Sequence, residues 1–326
     1  MFRLIMNRKI SVIIPLFNKG PYIARAIESV LHQTIQNFEI IVIDGKSQDD
    51  GPKIVYDFHD PRIHFLMQSG KGVSNARNEA VIYAKNNYIA FLDADDEWMP
   101  KHLETILRLI EKHPDAGMYT TARNEQTKDG KTQWPDYNYI PNPPWEGLLP
   151  DYFKSGALGT YPVIASTVVI PRKIFDEMGG FPEGYWYGED ADLFGKIALK
   201  YKVAFSWELG VIYHWDALNR ASDKEFPRDV EEPFVKTART ALKNGNVPAE
   251  LIDSLNEYIS RKEIVRAKIN IYVGNSKIAQ NILKNCNTRW HNKEKMKLLI
   301  LAKIPSPVFH FLIGTRRKVS ETVRKK

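Results

Sequence analysis

Short β-branched runs alternate with helical stripes along the first hundred residues. Ile10-Ser-Val-Ile-Ile14 is apolar and stops at Pro15, the pattern of a buried strand. Pro21 can open a helix, and over residues 22–33 Ile23, Ala26, Ile27, Val30 and Leu31 share one helical face. Residues 38–43 form a second apolar β-branched run, closed by Asp44-Gly45. A turn at 49–52 precedes a helical stretch at 53–58, and 63–67 reads as a third strand. Gly70 to Gly72 makes a loop before a helix over 73–85, and 88–92 is a fourth strand that stops at an acidic run.

This alternation predicts βαβ units: an α/β fold with a mostly parallel sheet and helices on both faces. Ligands of such sheets bind outside the carboxyl ends of the strands. Three candidate groups fall there: Asn18 after the first strand, Asp44 after the second, and Asp93 to Asp96 after the fourth. The pattern thus brings sequence-distant polar residues to one crevice.

Further along, 103–112 reads as a helix and 117–123 as a strand. Residues 126–159 hold Pro135, Pro141, Pro143, Pro144 and Pro150 beside Trp134 and Trp145 and read as a long loop, a lid or an insertion. Strands are expected at 165–170, 203–207 and 211–214, and helices at 173–178 and 190–201. From about Pro227 onward only helical patterns appear. The expected division is a catalytic domain over 1–225 and a helical region over 226–326.

Charge sharpens this division. The chain of 326 residues carries +7, but 11 Lys and Arg against 2 Asp and Glu lie in residues 286–326. The other 285 residues hold 35 basic and 37 acidic groups. Basicity confined to the tail argues against a nucleic-acid-binding protein. The tail mixes apolar clusters (298–302 and 308–313) with Lys297, Lys303, Arg316, Arg317, Lys318 and Arg324 to Lys326. Such a segment can lie on an anionic membrane surface, or pack on the catalytic domain with a solvated basic end. The single cysteine, Cys286, leaves no internal disulfide and points to a reducing compartment. The first nine residues do not read as a secretion signal, and no stretch reaches the length of a membrane span. A cytoplasmic protein, peripheral on the inner face of the membrane, is the expectation.

Carboxylates as close as Asp93, Asp95 and Asp96 repel unless a cation neutralises them. Oxygen ligands suit Mg²⁺ or Mn²⁺, and a divalent ion would stabilise charge on a departing diphosphate. On spacing alone, a metal site and a helix-capping acidic turn stand level. The strand pattern upstream favours the metal, with Asp93 and Asp95 on one side if the strand continues. Glu189-Asp190 forms a second acidic site. Asp190 can cap the helix that follows or serve as a base for an acceptor hydroxyl. Tyr185, Trp186 and Tyr187 just before it suit a sugar face or the core. Arg77, opening a helix after a glycine loop, suits a phosphate or an internal pairing with Asp93. His214 is a candidate third metal ligand or diphosphate contact, below the aspartates in rank.

Five segments occur in order: Ser11-Val-Ile-Ile-Pro-Leu-Phe-Asn18, Ile41-Val-Ile-Asp44, Gly72-Val-Ser-Asn-Ala-Arg-Asn78, Phe91-Leu-Asp-Ala-Asp-Asp96, and Gly179-Gly-Phe-Pro-Glu with Gly188-Glu-Asp190. Together they resemble the family 2 glycosyltransferases, inverting enzymes of the GT-A fold, over residues 9–215. The resemblance implies a nucleoside-diphosphate-sugar donor and a saccharide or lipid-linked saccharide acceptor, in cell-surface polysaccharide synthesis. It implies that Pro15, Asn18 and Asp44 lie at the nucleotide base, Asp93 near the ribose, Asp95 on the metal, and Asp190, paired with Glu189, as the base. Many relatives carry a second aspartate where this chain has Gly45, which leaves the nucleotide base open. The Gln-x-x-Arg-Trp motif and membrane helices of the processive synthases are absent from the sequence, so a single-addition enzyme is expected. Two other classes compete: a nucleotide-sugar-binding protein without catalysis, and a nucleotidyltransferase. The latter wants an arginine-bearing phosphate loop where this chain has Leu16-Phe-Asn-Lys-Gly20.

Overall fold

The computed structural model describes residues 8–217, 228–305 and 308–309. The predicted basic groups Arg316, Arg317, Lys318 and Arg324 to Lys326 lie outside the described residues, as do residues 1–7.

The first half follows the hydrophobic pattern. Strands β1 (Ile10–Leu16), β2 (Phe38–Asp44), β3 (Ile63–Met67) and β4 (Tyr88–Phe91) alternate with helices α1 (Gly20–Leu31), α2 (Gly51–Tyr56) and α3 (Val73–Tyr83). Then come β5 (Glu97–Trp98), α4 (His102–Lys112), β6 (Met118–Gln126), β7 (Thr132–Gln133), β8 (Glu146–Leu148) and α5 (Tyr152–Leu158). β9 (Val168–Pro171), α6 (Arg172–Met178), α7 (Glu189–Lys200) and β10 (Val203–His214) complete the α/β part. Beyond it the described elements are helical: α8 (Pro233–Lys243), α9 (Ile252–Tyr272), α10 (Ser276–Asn285) and α11 (Asn292–Leu301), with a 3-10 turn at Ala249–Leu251.

All the strands join one sheet in the order β3-β2-β1-β4-β9-β6-β10-β5, with β7 on β6 and β8 on β10. The longer ladders, β1·β2, β2·β3, β1·β4 and β6·β10, are parallel, and the short ones are antiparallel. β1 runs two residues past the predicted strand, through Pro15. The β1·β4 register ends at Ile13↔Phe91, so the amide hydrogen missing from Pro15 deprives β4 of nothing. β1 lies between β2 and β4, which are reached by crossovers in opposite directions. Their carboxyl ends therefore open a crevice at a topological switch point.

Side-chain alternation gives the sheet two apolar faces. Ile10, Val12, Ile14 and Leu16 join α1 and α4 in one core, while Ile13, Ile41 and Ile43 face the other with α3 and α7. Three expectations change in the structure. Residues 126–159 are not one long loop: they contain β7, β8 and α5. Asp151 caps α5 by accepting the Lys154 amide at 2.9 Å, and β8 pairs with β10. Residues 165–167 form a 3-10 turn before β9. The two strands expected at 203–207 and 211–214 are one strand, whose register slips at Ser206, Leu209 and Val211 conceal its continuity.

The core also runs across residue 225. Phe234, Val235 and Ala238 of α8 and Leu255, Tyr258 and Ile259 of α9 pack in the α7-side core. The far end of α9 forms a separate, smaller cluster with α10 and α11. No helix of the described residues is long and apolar enough to cross a membrane. Gly195 sets the approach of α8: a Cβ there would run into the Phe234 ring, which itself stacks on Phe153 at 5.8 Å. Gly195→Ala is expected to lower the free energy of unfolding by about 1–3 kcal/mol, outweighing the ~1 kcal/mol that alanine gains in a helix. Urea denaturation measures this, and a net gain would show that α8 is not seated on α7.

Candidate active site

The cleft lies at the carboxyl ends of β1, β2 and β4 and has a volume of about 810 Å³, within the range of small-molecule sites. The loop after β2 forms part of its floor. Asp44 is buried, and its carboxylate accepts the amides of Lys46 (3.0 Å) and Ser47 (3.1 Å). Asn18, with φ 51°, accepts the Gln48 amide at 2.8 Å and donates its own to Ser47 at 2.9 Å. Asn18 and Asp44 thus shape the loop and do not line the cleft, whereas Pro15, Gly45 and Lys46 do. A Cβ on Gly45 would meet the Gln68 side-chain Oε1 at 3.0 Å and the Phe17 ring at 3.3 Å. A larger side chain there would have to displace the Gln68 amide.

The strand does not continue into the acidic run. β4 ends at Phe91, and residues 93–96 form a turn closed by the Asp96 amide on the Asp93 carbonyl at 3.0 Å. Strand alternation therefore does not orient these side chains, yet both Asp93 and Asp95 line the cleft. Asp95 accepts from the Lys19 ammonium at 2.6 Å, and its carbonyl accepts from Arg25 at 2.5 Å. Asp96 turns inward. It takes the Ser166 hydroxyl at 2.5 Å and the His214 amide at 3.1 Å. Burial, together with the charges of Asp93 and Asp95, pushes its carboxyl well above the usual range.

Arg77 is the internal partner of the site. Its buried guanidinium donates to Asp93 at 2.7 Å and to Glu189 at 3.2 Å, and packs 5.1 Å from the Phe181 ring centroid. Burial opposes the charge, but Asp93 and Glu189 outweigh it and raise the pKa of Arg77. Burial and the neighbouring Asp190 push Glu189 upward. The helix α7 begins at Glu189 with Gly188 as its cap at φ 75°, so Asp190 is not an N-cap. It stands in the first helical turn and lines the cleft with Glu189, Trp186 and Tyr187. Among the described residues no cation pairs with the Asp190 carboxylate. His214 lines the same cleft, its ring 3.4 Å from Glu97 and 3.5 Å from Asp216, both long for hydrogen bonds.

Residues 11–179 match the family model described as Glycosyl transferase family 2. The chain belongs to glycosyl transferase family 2. It is 32% identical over 201 residues, 60% of its length, to an uncharacterized glycosyltransferase of Rickettsia bellii, of which it spans 27%. It is 40% identical over 111 residues, 34% of its length, to WfgD of Escherichia coli, a UDP-Glc:alpha-D-GlcNAc-diphosphoundecaprenol beta-1,3-glucosyltransferase, of which 44% is covered. The chain therefore spans under half the length of these curated relatives. Staphylococcus aureus TarS 1–349 in complex with UDP-GlcNAc superposes with a TM-score of 0.66 at 16% identity, covering 89% of both chains. The mannosyltransferase PcManGT of Pyrobaculum calidifontis, in complex with GDP-Man and Mn²⁺, superposes with a TM-score of 0.56 at 15% identity, covering 95% of this chain and 86% of its own. These likenesses show the GT-A fold. Family membership leaves the nucleotidyltransferase reading without support.

Pattern reading of this family 2 chain brings Pro15, Arg77, Asp93, Asp95, Glu189, Asp190 and His214 to one cleft. It misses Lys19, Gln68, Ser166 and Arg228. Gln68 follows β3 and was findable by the same strand-end rule. It bonds the Gly72 carbonyl at 2.9 Å and Asn75 at 3.0 Å, bracing the glycine loop. Ser166, inside an apolar stretch, carried no signal. Arg77→Leu leaves Asp93 and Glu189 without their shared cation and is expected to cost about 3 kcal/mol of stability. Equilibrium denaturation at pH 7 reads this, and a loss below ~1 kcal/mol would remove Arg77 as the tie.

Proposed function

We propose that the protein is an inverting, metal-dependent glycosyltransferase that transfers a hexosyl-type sugar from a nucleoside-diphosphate sugar to a hydroxyl of a saccharide or lipid-linked saccharide in polysaccharide synthesis. The observation that carries this reading is the placement of Asp190 in one cleft with Pro15, Asp93 and Asp95. Asp190 takes the proton of the acceptor hydroxyl as its oxygen attacks the anomeric carbon. The bond to the diphosphate breaks on the opposite face, so the centre inverts. Arg77 fixes Glu189 and Asp93 relative to each other, which holds the base at the reaction centre. The WfgD name supports a lipid-linked saccharide as acceptor class. The TarS and PcManGT complexes support a nucleotide sugar as donor, one uridine and one guanosine, so the base stays open.

The donor set suits a hard divalent cation. Asp95 lines the cleft with its carboxylate paired to the Lys19 ammonium, which supports reading that carboxylate as able to take a cation. No group of three or more His, Cys, Asp or Glu among the described residues is arranged as a metal cage. A cation held by Asp95 and donor phosphates, the usual manner of Mg²⁺, needs no such cage. His214 is the histidine among the residues that line the cleft. When bound, Mn²⁺ or Mg²⁺ supplies charge neutralisation for the leaving diphosphate. Lys19 holds the Asp95 carboxylate in place until then.

Two outcomes are expected. Asp190→Asn should lower transfer by at least about a hundredfold, the contribution of a positioned base, while UDP or GDP binding by calorimetry is unchanged. Parental turnover in this variant would transfer the base role to another group. Asp95→Ala should remove the Mn²⁺-dependent part of the thermal shift caused by the nucleoside diphosphate. A shift that keeps its metal dependence would place the metal elsewhere.

A further inference from the structure

Arg228 is a cation on the cleft wall that the transfer chemistry above does not use. Its backbone is pinned from two sides. Its carbonyl accepts from Arg266 at 3.0 Å and Asn270 at 2.9 Å, both on α9, and the next carbonyl, that of Asp229, accepts from Arg266 at 2.7 Å. On the other side the Tyr187 hydroxyl donates to the Val230 carbonyl at 2.6 Å. The guanidinium lies 4.4 Å from the Tyr187 ring centroid and 5.8 Å from that of Trp186. Stacking occupies the face of a guanidinium and leaves its in-plane N–H groups for a ligand.

The charge of Arg228 is directed outward. Among the described residues its carboxylate neighbour is Glu232, at 3.9 Å. Glu232 is answered from behind by Lys262 at 3.0 Å, a buried ammonium lying 4.4 Å from the Tyr161 ring centroid. Glu232 thus anchors the segment and leaves most of the Arg228 charge to the cleft. The cations Lys19, Lys46 and Lys71 stand on the loops after β1, β2 and β3. Arg228 comes instead from the segment before α8 and lies against Trp186 and Tyr187, just ahead of α7 and Asp190. An aromatic wall beside the base suits a sugar face, and a forked cation at its edge suits phosphate oxygens.

We propose that Arg228, stacked on Tyr187 beside Trp186, forms an acceptor subsite that binds a phosphate or diphosphate carried by the acceptor. This rests on the transferase reading and names the acceptor's charge. The segment that supplies Arg228 lies outside the residues matched by the family model.

The test fills the donor site first. With UDP or GDP saturating and Mg²⁺ in excess over all phosphate, inorganic pyrophosphate and geranyl diphosphate are titrated calorimetrically into the full chain. Both should bind the parent at a second site. Arg228→Gln should weaken that binding by about tenfold or more, the loss of a charge-assisted pair, with nucleoside-diphosphate affinity unchanged. Arg228→Lys, which keeps the charge and loses the fork, should fall between. Tighter binding of geranyl diphosphate than of pyrophosphate assigns the anion to a lipid carrier; equal binding assigns it to the saccharide. A parent that binds no second diphosphate, or an Arg228→Gln variant that binds it as the parent does, overturns the proposal. So does a variant whose nucleoside-diphosphate affinity falls, because Arg228 then serves the donor. If no nucleoside diphosphate binds the parent at all, the transferase reading fails, and the subsite with it. The unchanged nucleoside-diphosphate affinity of each variant is also the check that it is folded.

Discussion

One buried guanidinium holds the site together. Arg77 sits in the first turns of α3, and its two ends reach Asp93 on the turn after β4 and Glu189 at the start of α7. Glu189 lies more than a hundred residues from Arg77 in sequence, and among the described residues Arg77 ion-pairs with both carboxylates. A charge so deeply buried is costly unless fully paired. The fold therefore tolerates Arg77 only with both carboxylates in place, and the geometry of the acidic turn and of α7 becomes a single constraint. Phe181, under the guanidinium, ties the same group to the aromatic packing of Phe91 and Phe175.

Given that tie, the four aspartates in and behind the cleft are sorted by their partners. Asp96 faces a serine hydroxyl and a backbone amide in the interior, where its charged form is disfavoured. Asp93 shares Arg77. Asp95 meets a lysine whose side chain is itself at the cleft. Asp190 has no such internal cation among the described residues. Environment, more than residue type, thus separates a structural acid from one available to a ligand.

Much of this was legible in the sequence because β1, β2 and β4 are almost wholly buried and read as short continuous apolar runs. The strand-end rule then located Asp93, Asp95 and the cleft itself. It could not tell Asp44, which spends its carboxylate on the Lys46 and Ser47 amides, from a residue facing a ligand. Both end a strand, and only the positive φ of Lys46, invisible in a pattern, folds the loop back onto the carboxylate. Irregular strands were harder. The slips in β10 break its periodicity at Leu209, and β8 is too short to show any. Arg77 stood level between phosphate and Asp93 because the choice depends on how α7 packs, a long-range fact.

The helical region enters the site by the same logic. Glu232 lies close enough to Gly188 that a Cβ there would contact its carboxylate at 3.2 Å. Lys262 of α9 holds Glu232, and Phe234 and Tyr258 share a core with Phe153 and the sheet. The cap of α7, on which Asp190 depends, is therefore backed by groups from beyond residue 225. A boundary drawn where the strands stop would cut through this support. In physical terms the core that carries the cleft extends through the first half of α9, and among the described residues the cluster of α10, α11 and the far end of α9 is separate from it. The tyrosines packed around Lys262 reinforce this: its ammonium lies 4.4 Å from the Tyr161 ring centroid and 5.7 Å from that of Tyr258. This packed shell, in which the buried Lys262 answers Glu232, is a rigid support, and it stands behind residues that line the cleft.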